Sequence, residues 1–227
     1  MSGAARVVAL MPMRHDSERV PQKNYRPFGD GRPLFQHALG ALQACAGIDA
    51  IAIDTDSPTI KEQCSERFPD VILIDRPEAL RSGMIPMNDI LLHDTQVVDA
   101  DFYLQTHSTN PLLSASTLSR AIDTFFENRP EHDSLFGVTR IQSRFWTAEG
   151  AAVNHDPAVL ARTQDLPPFF EENSCVYIFD RETLQRRGNR IGDRPYLFEI
   201  DRIEATDIDD EADFEIAELL FNRARSA

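Results

Sequence analysis

Short apolar runs alternate with segments of helical period along the first two thirds of this chain, and that alternation is what most restricts its fold. Residues 6–11, 50–54, 71–75, 101–105 and 134–140 read as buried strands. Residues 33–46, 57–67, 88–98 and 116–128 between them read as helices. In the first helix Leu34, Phe35, Ala38, Leu39, Leu42 and Cys45 recur at helical spacing. Ser57-Pro58 supplies a capping hydroxyl followed by a residue whose backbone is already set for a first turn. Strands this apolar need cover on both sides. The expectation is an α/β fold: a Rossmann-like, mostly parallel sheet with helices on both faces.

Past residue 140 the rhythm changes. Residues 144–153 suggest a hairpin around Glu149-Gly150, and 176–179 and 196–200 read as short strands with a short helix after Arg181. Residues 210–223 form a closing amphipathic helix with Phe214, Ala217 and Phe221 on one face. No repeat or low-complexity linker interrupts the chain, so residues 1–227 read as a single domain with an excursion at about 140–200. Phe145, Trp146, Leu166, Phe169 and Phe170 fall in that excursion, among Pro157, Pro167 and Pro168. Aromatic residues in an irregular segment read as a small dimerisation surface, and a homodimer is expected.

Charge excludes some partners. Lys and Arg number 23 against 37 Asp and Glu, a net charge of −14, the wrong sign for a nucleic-acid binder. Hydrophobic residues make up 42% of the chain, enough for a core. No apolar run approaches the roughly 18 residues of a membrane helix. Cys45, Cys64 and Cys175 form neither a metal ladder nor a disulfide framework, so the expected location is cytoplasmic. The charge is also unevenly spread. Residues 1–32 hold six basic residues against three acids, whereas 199–218 hold ten acids against Arg202 alone. That pattern suggests an anion site near the head and a cation site near the tail, or else simply a solvated acidic terminal helix.

In open α/β sheets ligands bind beyond the carboxyl ends of the strands. The loop after the first strand runs from Pro12 to Asn24 and has neither a G-x-G-x-x-G nor a G-K-S/T motif. It offers instead Arg14, Ser17, Arg19, Lys23 and Asn24, a set of spaced cations and polar groups that can wrap a triphosphate.

The pattern Arg14-x-x-Ser17-x-Arg19-x-Pro21-x-Lys23-Asn24 resembles the A-R-G-G-S-K-R-I-P-x-K-N signature of cytidylyltransferases that activate acidic sugars, the CMP-sialic-acid (acylneuraminate) and CMP-KDO synthetases. Further stretches resemble the family in the same order: Asp75-Arg76-Pro77 with Ala79-Leu80, Leu104 to Ser108, Glu172 to Tyr177, and Thr206 to Asp213. The resemblance spans essentially the whole chain and implies CTP-dependent activation of an acidic sugar, giving the CMP-sugar and pyrophosphate. It places Arg14, Ser17, Arg19, Lys23 and Asn24 on the nucleotide, with Arg76 and Ser82 as candidates for the base. Arg76 reads equally as a structural loop arginine. Arg14 and Lys23 would be catalytic by stabilising the negative charge that grows on the departing pyrophosphate.

Asp207 and Asp209 alternate along an extended segment, so both carboxylates point to one side. Phosphates and water could complete the shell of a magnesium ion (Mg2+) there, which makes Asp209 a third catalytic candidate. The same acids would also suit the start of the closing helix. The resemblance puts Gln105, Glu172, Asn173, Tyr177 and Phe198 in an acceptor pocket, although Tyr177 and Phe198 also fit a core. Departures from the family pattern cluster at the sugar end: Thr106-His107 for Pro-Thr, extra length at Thr109-Asn110, and Ser174-Cys175 for Gly-Ala. At the nucleotide end the departure is Glu18, where sialate enzymes often carry Lys. Two rival readings are a GT-A glycosyltransferase using Asp54-Thr55-Asp56 or Asp99-Ala100-Asp101, and a non-catalytic nucleotide-binding protein.

Overall fold

The computed structural model describes residues 5–225. In chain order the strands are β1 (Val7–Leu10), the short pair β2 (Pro27–Phe28) and β3 (Arg32–Pro33), β4 (Ala50–Thr55), β5 (Ile72–Asp75), β6 (Phe102–Gln105), β7 (Ser134–Ile141), β8 (Phe169–Phe179) and β9 (Pro195–Glu199). The helices are α1 (Leu34–Ala44), α2 (Pro58–Arg67), α3 (Met87–Val97), α4 (Ala115–Glu127), α5 (Arg181–Arg187) and α6 (Glu211–Arg225). Seven strands make one sheet in the order β5-β4-β1-β6-β8-β7-β9, while β2 and β3 form a separate hairpin. Neighbours from β5 to β6 are parallel, β8 runs antiparallel to β6 and β7, and β7 is parallel to β9.

Alternation along β1 explains the two layers of helices. Val7 and Ala9 join a core with Phe35, Leu39 and Leu42 of α1 and Leu118, Ala121 and Phe125 of α4. Val8 and Leu10 face the other way, toward Leu91 of α3 and Leu184 of α5. Each fully buried side chain of this size contributes about 1.5–3 kcal/mol. Ser57 caps α2 by accepting from the Ile60 amide at 3.3 Å, and Ser114 and Asp180 cap α4 and α5 in the same way. Such a cap stabilises by about 1 kcal/mol.

A third cluster matters most for the site. Val20 from the loop after β1, Phe28 and Leu34 pack with Ile208, Phe214 and Ala217, fastening the head of the chain to its tail. Gly29 makes this fit possible. Its φ is +55°, and a Cβ there would lie 2.3 Å from the Phe221 ring.

In the second half of the chain β8 inserts between β6 and β7. β8 also begins at Phe169 rather than residue 176. Phe169 to Glu172 are exposed on the sheet, so no apolar alternation marks them. The hairpin around Glu149-Gly150 is a single antiparallel bridge, Trp146 to Ala152, turned by Gly150 at φ +84°. Within the excursion Leu166 is buried, whereas Trp146, Phe169 and Phe170 are 53%, 41% and 45% exposed. No helix among the described residues is long and apolar enough to cross a membrane.

Candidate active site

A cavity of about 430 Å³ opens beyond the carboxyl ends of β1, β5 and β6. Arg14, Ser17, Arg19, Lys23, Asn24, Arg76 and Ser82 all line it, so the seven expected nucleotide residues share one cleft. Four of them are cations, facing the acids Asp16 and Glu18. That excess suits a polyanion.

The loop after β1 is held from several sides. The Met13 amide donates to the Asp54 carbonyl at 2.8 Å and the His15 amide to Asp56 Oδ1 at 2.8 Å. Gln22 takes a left-handed turn at φ +61° and leads into a 3-10 turn, Lys23–Tyr25. Asn24 Nδ2 donates to the Arg14 carbonyl, and Asn24 Oδ1 accepts from Ser108 Oγ, each at 2.8 Å. The Asn24 amide therefore holds the loop's shape. Across the cleft Ser82 Oγ accepts from the Met84 amide at 3.2 Å. A Cβ on Gly83 would lie 2.4 Å from Arg14 Nη1, so the two loops touch there through the end of a flexible side chain.

The acidic tail reaches the basic head at the cleft's edge. Arg19 Nη2 donates to Asp209 Oδ1 at 2.6 Å, and Lys23 Nζ donates to the Ile208 carbonyl at 2.5 Å. Burial holds the Lys23 pKa below its ordinary value, against the pull of Asp207 and Asp209. Burial also pushes the Asp207 carboxyl upward, so a cation beside it would favour its ionised form. The cap of α6 falls to other acids. Asp213 Oδ2 accepts from the Asp210 amide and Asp210 Oδ1 from the Asp213 amide, both at 3.0 Å, a reciprocal capping box. The Asp209 amide also donates to Asp213 Oδ2 at 3.0 Å, whereas the Asp207 and Asp209 carboxylates take no part in the cap.

Arg76 is a buried ion-pair residue at the cleft wall. Its Nε donates to Asp54 Oδ1, while its Nη1 has no hydrogen-bond partner among the described residues. Asp94 lies beside that pair, its carboxyl pushed upward by burial and by Asp54. Asp54, Asp94 and His93 come within metal-ligating distance of one another, but the Arg76 guanidinium already supplies the positive charge. The rival D-x-D pairs are otherwise engaged. Asp54 pairs with Arg76, Asp56 holds the His15 amide, Asp99 pairs with Arg181, and Asp101 accepts from the Arg6 amide.

None of the five expected acceptor residues lines this cleft. Phe198 packs in the core with Ile200, the core position that its sequence also allowed, with Arg120 5.8 Å from its ring. Tyr177 is fully buried, and its hydroxyl donates to Glu172 Oε1. Asn173 is turned to Thr139 Oγ1 at 3.1 Å and the Cys175 amide at 3.2 Å. Gln105 is fully buried, with its Nε2 3.0 Å from both the Thr106 carbonyl and His107 Nε2.

Two residues at this end were not expected. His107 lines the cleft, and its pKa is pushed down to about 3, by burial first and then by Arg190 and Lys23. Arg190 Nη1 donates to Gln105 Oε1 at 2.5 Å, and its guanidinium lies 3.5 Å from the centre of the Tyr177 ring. No signal in the sequence sets Arg190 apart from its neighbours Arg186 and Arg187, which both pair with Asp193.

A sequence model described as "Cytidylyltransferase" matches residues 8–223. The chain belongs to the cytidylyltransferase family. This cytidylyltransferase is 27% identical over 229 residues to "Post-translational flagellin modification protein B" of Campylobacter coli, covering 94% of each chain. It is also 27% identical over 216 residues to the N-acylneuraminate cytidylyltransferase of Streptococcus agalactiae serotype V. That match covers 91% of this chain and 51% of the relative, so the chain spans about half that protein's length. Its fold matches a CMP:2-keto-3-deoxy-manno-octonic acid synthetase solved with CTP, with a TM-score of 0.72 at 16% identity over 98% of this chain and 100% of that one. The cytidylyltransferase is a CTP-dependent nucleotidyltransferase, and four cations line its cleft.

Proposed function

We propose that this cytidylyltransferase transfers CMP from CTP to an acidic sugar, acting as a homodimer with magnesium in the cytoplasm. The observation that carries this reading is the meeting of head and tail: Arg19 with Asp209 and Lys23 with Ile208, at the edge of a cleft lined by Arg14. A sugar hydroxyl oxygen attacks the α-phosphorus of CTP, the bond from that phosphorus to the bridging oxygen breaks, and pyrophosphate leaves. The hydroxyl proton passes to solvent. Arg14, Arg19 and Lys23 stabilise the charge that develops on the β- and γ-phosphates. Asp207 and Asp209 offer the hard oxygen donors that magnesium takes, and the ion when bound polarises the phosphoryl oxygens. The acidic character of the acceptor is supported by the names of the relatives, an N-acylneuraminate cytidylyltransferase among them. Exposed Trp146, Phe169 and Phe170 support the dimer, and three free, buried cysteines suit a reducing compartment.

The test is pyrophosphate release from CTP and magnesium across a panel of acidic sugars, with ATP, GTP and UTP as competing donors. Turnover with CTP and at least one acid is expected. Equal release from ATP, or none with any acid, would overturn the reading. Light scattering on the active enzyme should give a mass near twice the 25.6 kDa of one chain.

A further inference from the structure

We infer that Arg190 is the residue that binds the carboxylate of the acidic acceptor, so that this guanidinium sets the choice of acids over neutral sugars. The inference rests on the proposed activity and adds the specificity residue to it.

Position comes first. Arg190 follows α5, and its backbone amide donates to Asn88 Oδ1 at 3.2 Å in the first turn of α3, next to cleft-lining Met87. Its side chain reaches Gln105 at the carboxyl end of β6. Gln105 in turn contacts His107, which lines the cleft. Arg190 is therefore one hydrogen-bond relay from the nucleotide cleft, on the side of the sheet where β6 meets β8. The triphosphate cations are on the loop after β1, one strand away.

Its surroundings make it an anion site in waiting. The guanidinium carbon lies 3.5 Å from the centre of the Tyr177 ring and the residue is half-buried, which strengthens any charge-assisted bond it makes. No carboxylate among the described residues forms an ion pair with it. Glu172 is close enough to be felt as countercharge, but its Oε1 is taken by the Tyr177 hydroxyl. A guanidinium has more N–H donors than the contacts to Gln105 and Tyr177 use, and a planar fork of donors matches a carboxylate.

The supporting shell is rigid. Gln105 Oε1 must face Arg190, because only the oxygen can accept; its Nε2 then donates to His107, whose Nε2 must be the acceptor. His107 is thereby kept neutral and adds no competing charge. An acidic acceptor approaching a nucleotide triphosphate meets like-charge repulsion, and a separate cation at the acceptor end answers it.

The experiment compares the parent with Arg190→Met and Arg190→Lys. Each is assayed with an acidic sugar that the parent uses and with the same sugar carrying a carboxamide in place of its carboxylate. The readouts are acceptor KM, CTP KM and the acid-to-amide ratio of kcat/KM. Arg190→Met is expected to raise acceptor KM by about 10- to 100-fold, to leave CTP KM within about twofold, and to bring the ratio close to one. Arg190→Lys keeps a point charge without the fork, so its ratio should fall between the two. If Arg190→Met does not fold, the Lys variant alone decides. A parental ratio in whichever variant folds overturns the assignment while leaving acidic-sugar activation intact. If the parent releases no pyrophosphate with any acid, the acidic-sugar reading fails and this inference fails with it.

Discussion

Arg19 and Asp209, 190 positions apart in sequence, meet at 2.6 Å and close the head of the chain onto its tail. Both side chains are more than half exposed, so the pair itself contributes little stability, about 0–1 kcal/mol. Its importance is one of place: it brings a hard oxygen donor to the edge of a cation-lined cleft. Asp209→Asn should therefore change melting temperature little and weaken activation by magnesium strongly. A magnesium titration of pyrophosphate release measures this. An unchanged activation constant and maximal rate would remove Asp209 from the metal site.

Lys23 is held by the Ile208 carbonyl, with burial working against its charge. A charge-assisted contact to phosphate contributes about 1.5–3 kcal/mol. Lys23→Ala should accordingly lower kcat/KM for CTP by about 10- to 150-fold. Loss of the Ile208 contact should cost only about 1 kcal/mol of folding stability, read in a denaturant melt. Parental kinetics in the variant would show that the ammonium does not meet the nucleotide.

Gly83 touches the loop after β1 across the cleft, and an added Cβ would lie 2.4 Å from Arg14 Nη1. The obstructing atom is the end of a flexible side chain, so Gly83→Ala should fold normally and push Arg14 aside. CTP KM should rise by about tenfold, equivalent to ~1.4 kcal/mol. In an Arg14→Ala background the same change should cost almost nothing, and a double-mutant cycle over the pair tests that.

His107 makes the fold sensitive to acid. Its folded pKa of about 3 lies below the unfolded value of 6.5, so between those values the unfolded chain takes up a proton that the folded one refuses. Stability is thus complete above pH 6.5 and falls as pH drops from there toward 3. One such proton costs at most ~1.4 kcal/mol per pH unit. His107→Gln should flatten this limb in urea melts taken from pH 7 to 4. A limb of unchanged slope would assign the acid sensitivity to other groups.

How much could be read from the sequence depended on where each residue's partners lie. β1, β4 and β6 are buried strands with helices between them, and burial on both faces writes itself as an apolar run; β5 is a half-buried edge strand that is apolar as well. β2 and β3 are too short to leave any pattern, and the exposed first half of β8 carries none. That Arg14 to Asn24 share one cleft was legible because they lie in a single loop. Gln105, Tyr177 and Arg190 come together from three separate segments, Arg190 contacting both of the others from 85 positions beyond Gln105. Such a relation exists only after folding.

The order of strands also has a temporal meaning. β5, β4, β1 and β6 are all complete by Gln105, so the leading part of the chain already contains a contiguous parallel sheet with its helices. β7 is made next, yet both of its neighbours, β8 and β9, are made later. It must wait without a pairing partner until residues 169–179 arrive and join it to β6. On a growing chain the sheet is therefore completed in two instalments, with β8 as the seam, and the long-range closure of β8 and β9 onto β7 is expected to lag in refolding too. Pulse-labelled hydrogen exchange during refolding should find amides of β1 and β4 protected before those of β7; simultaneous protection would mean that the sheet forms in one step.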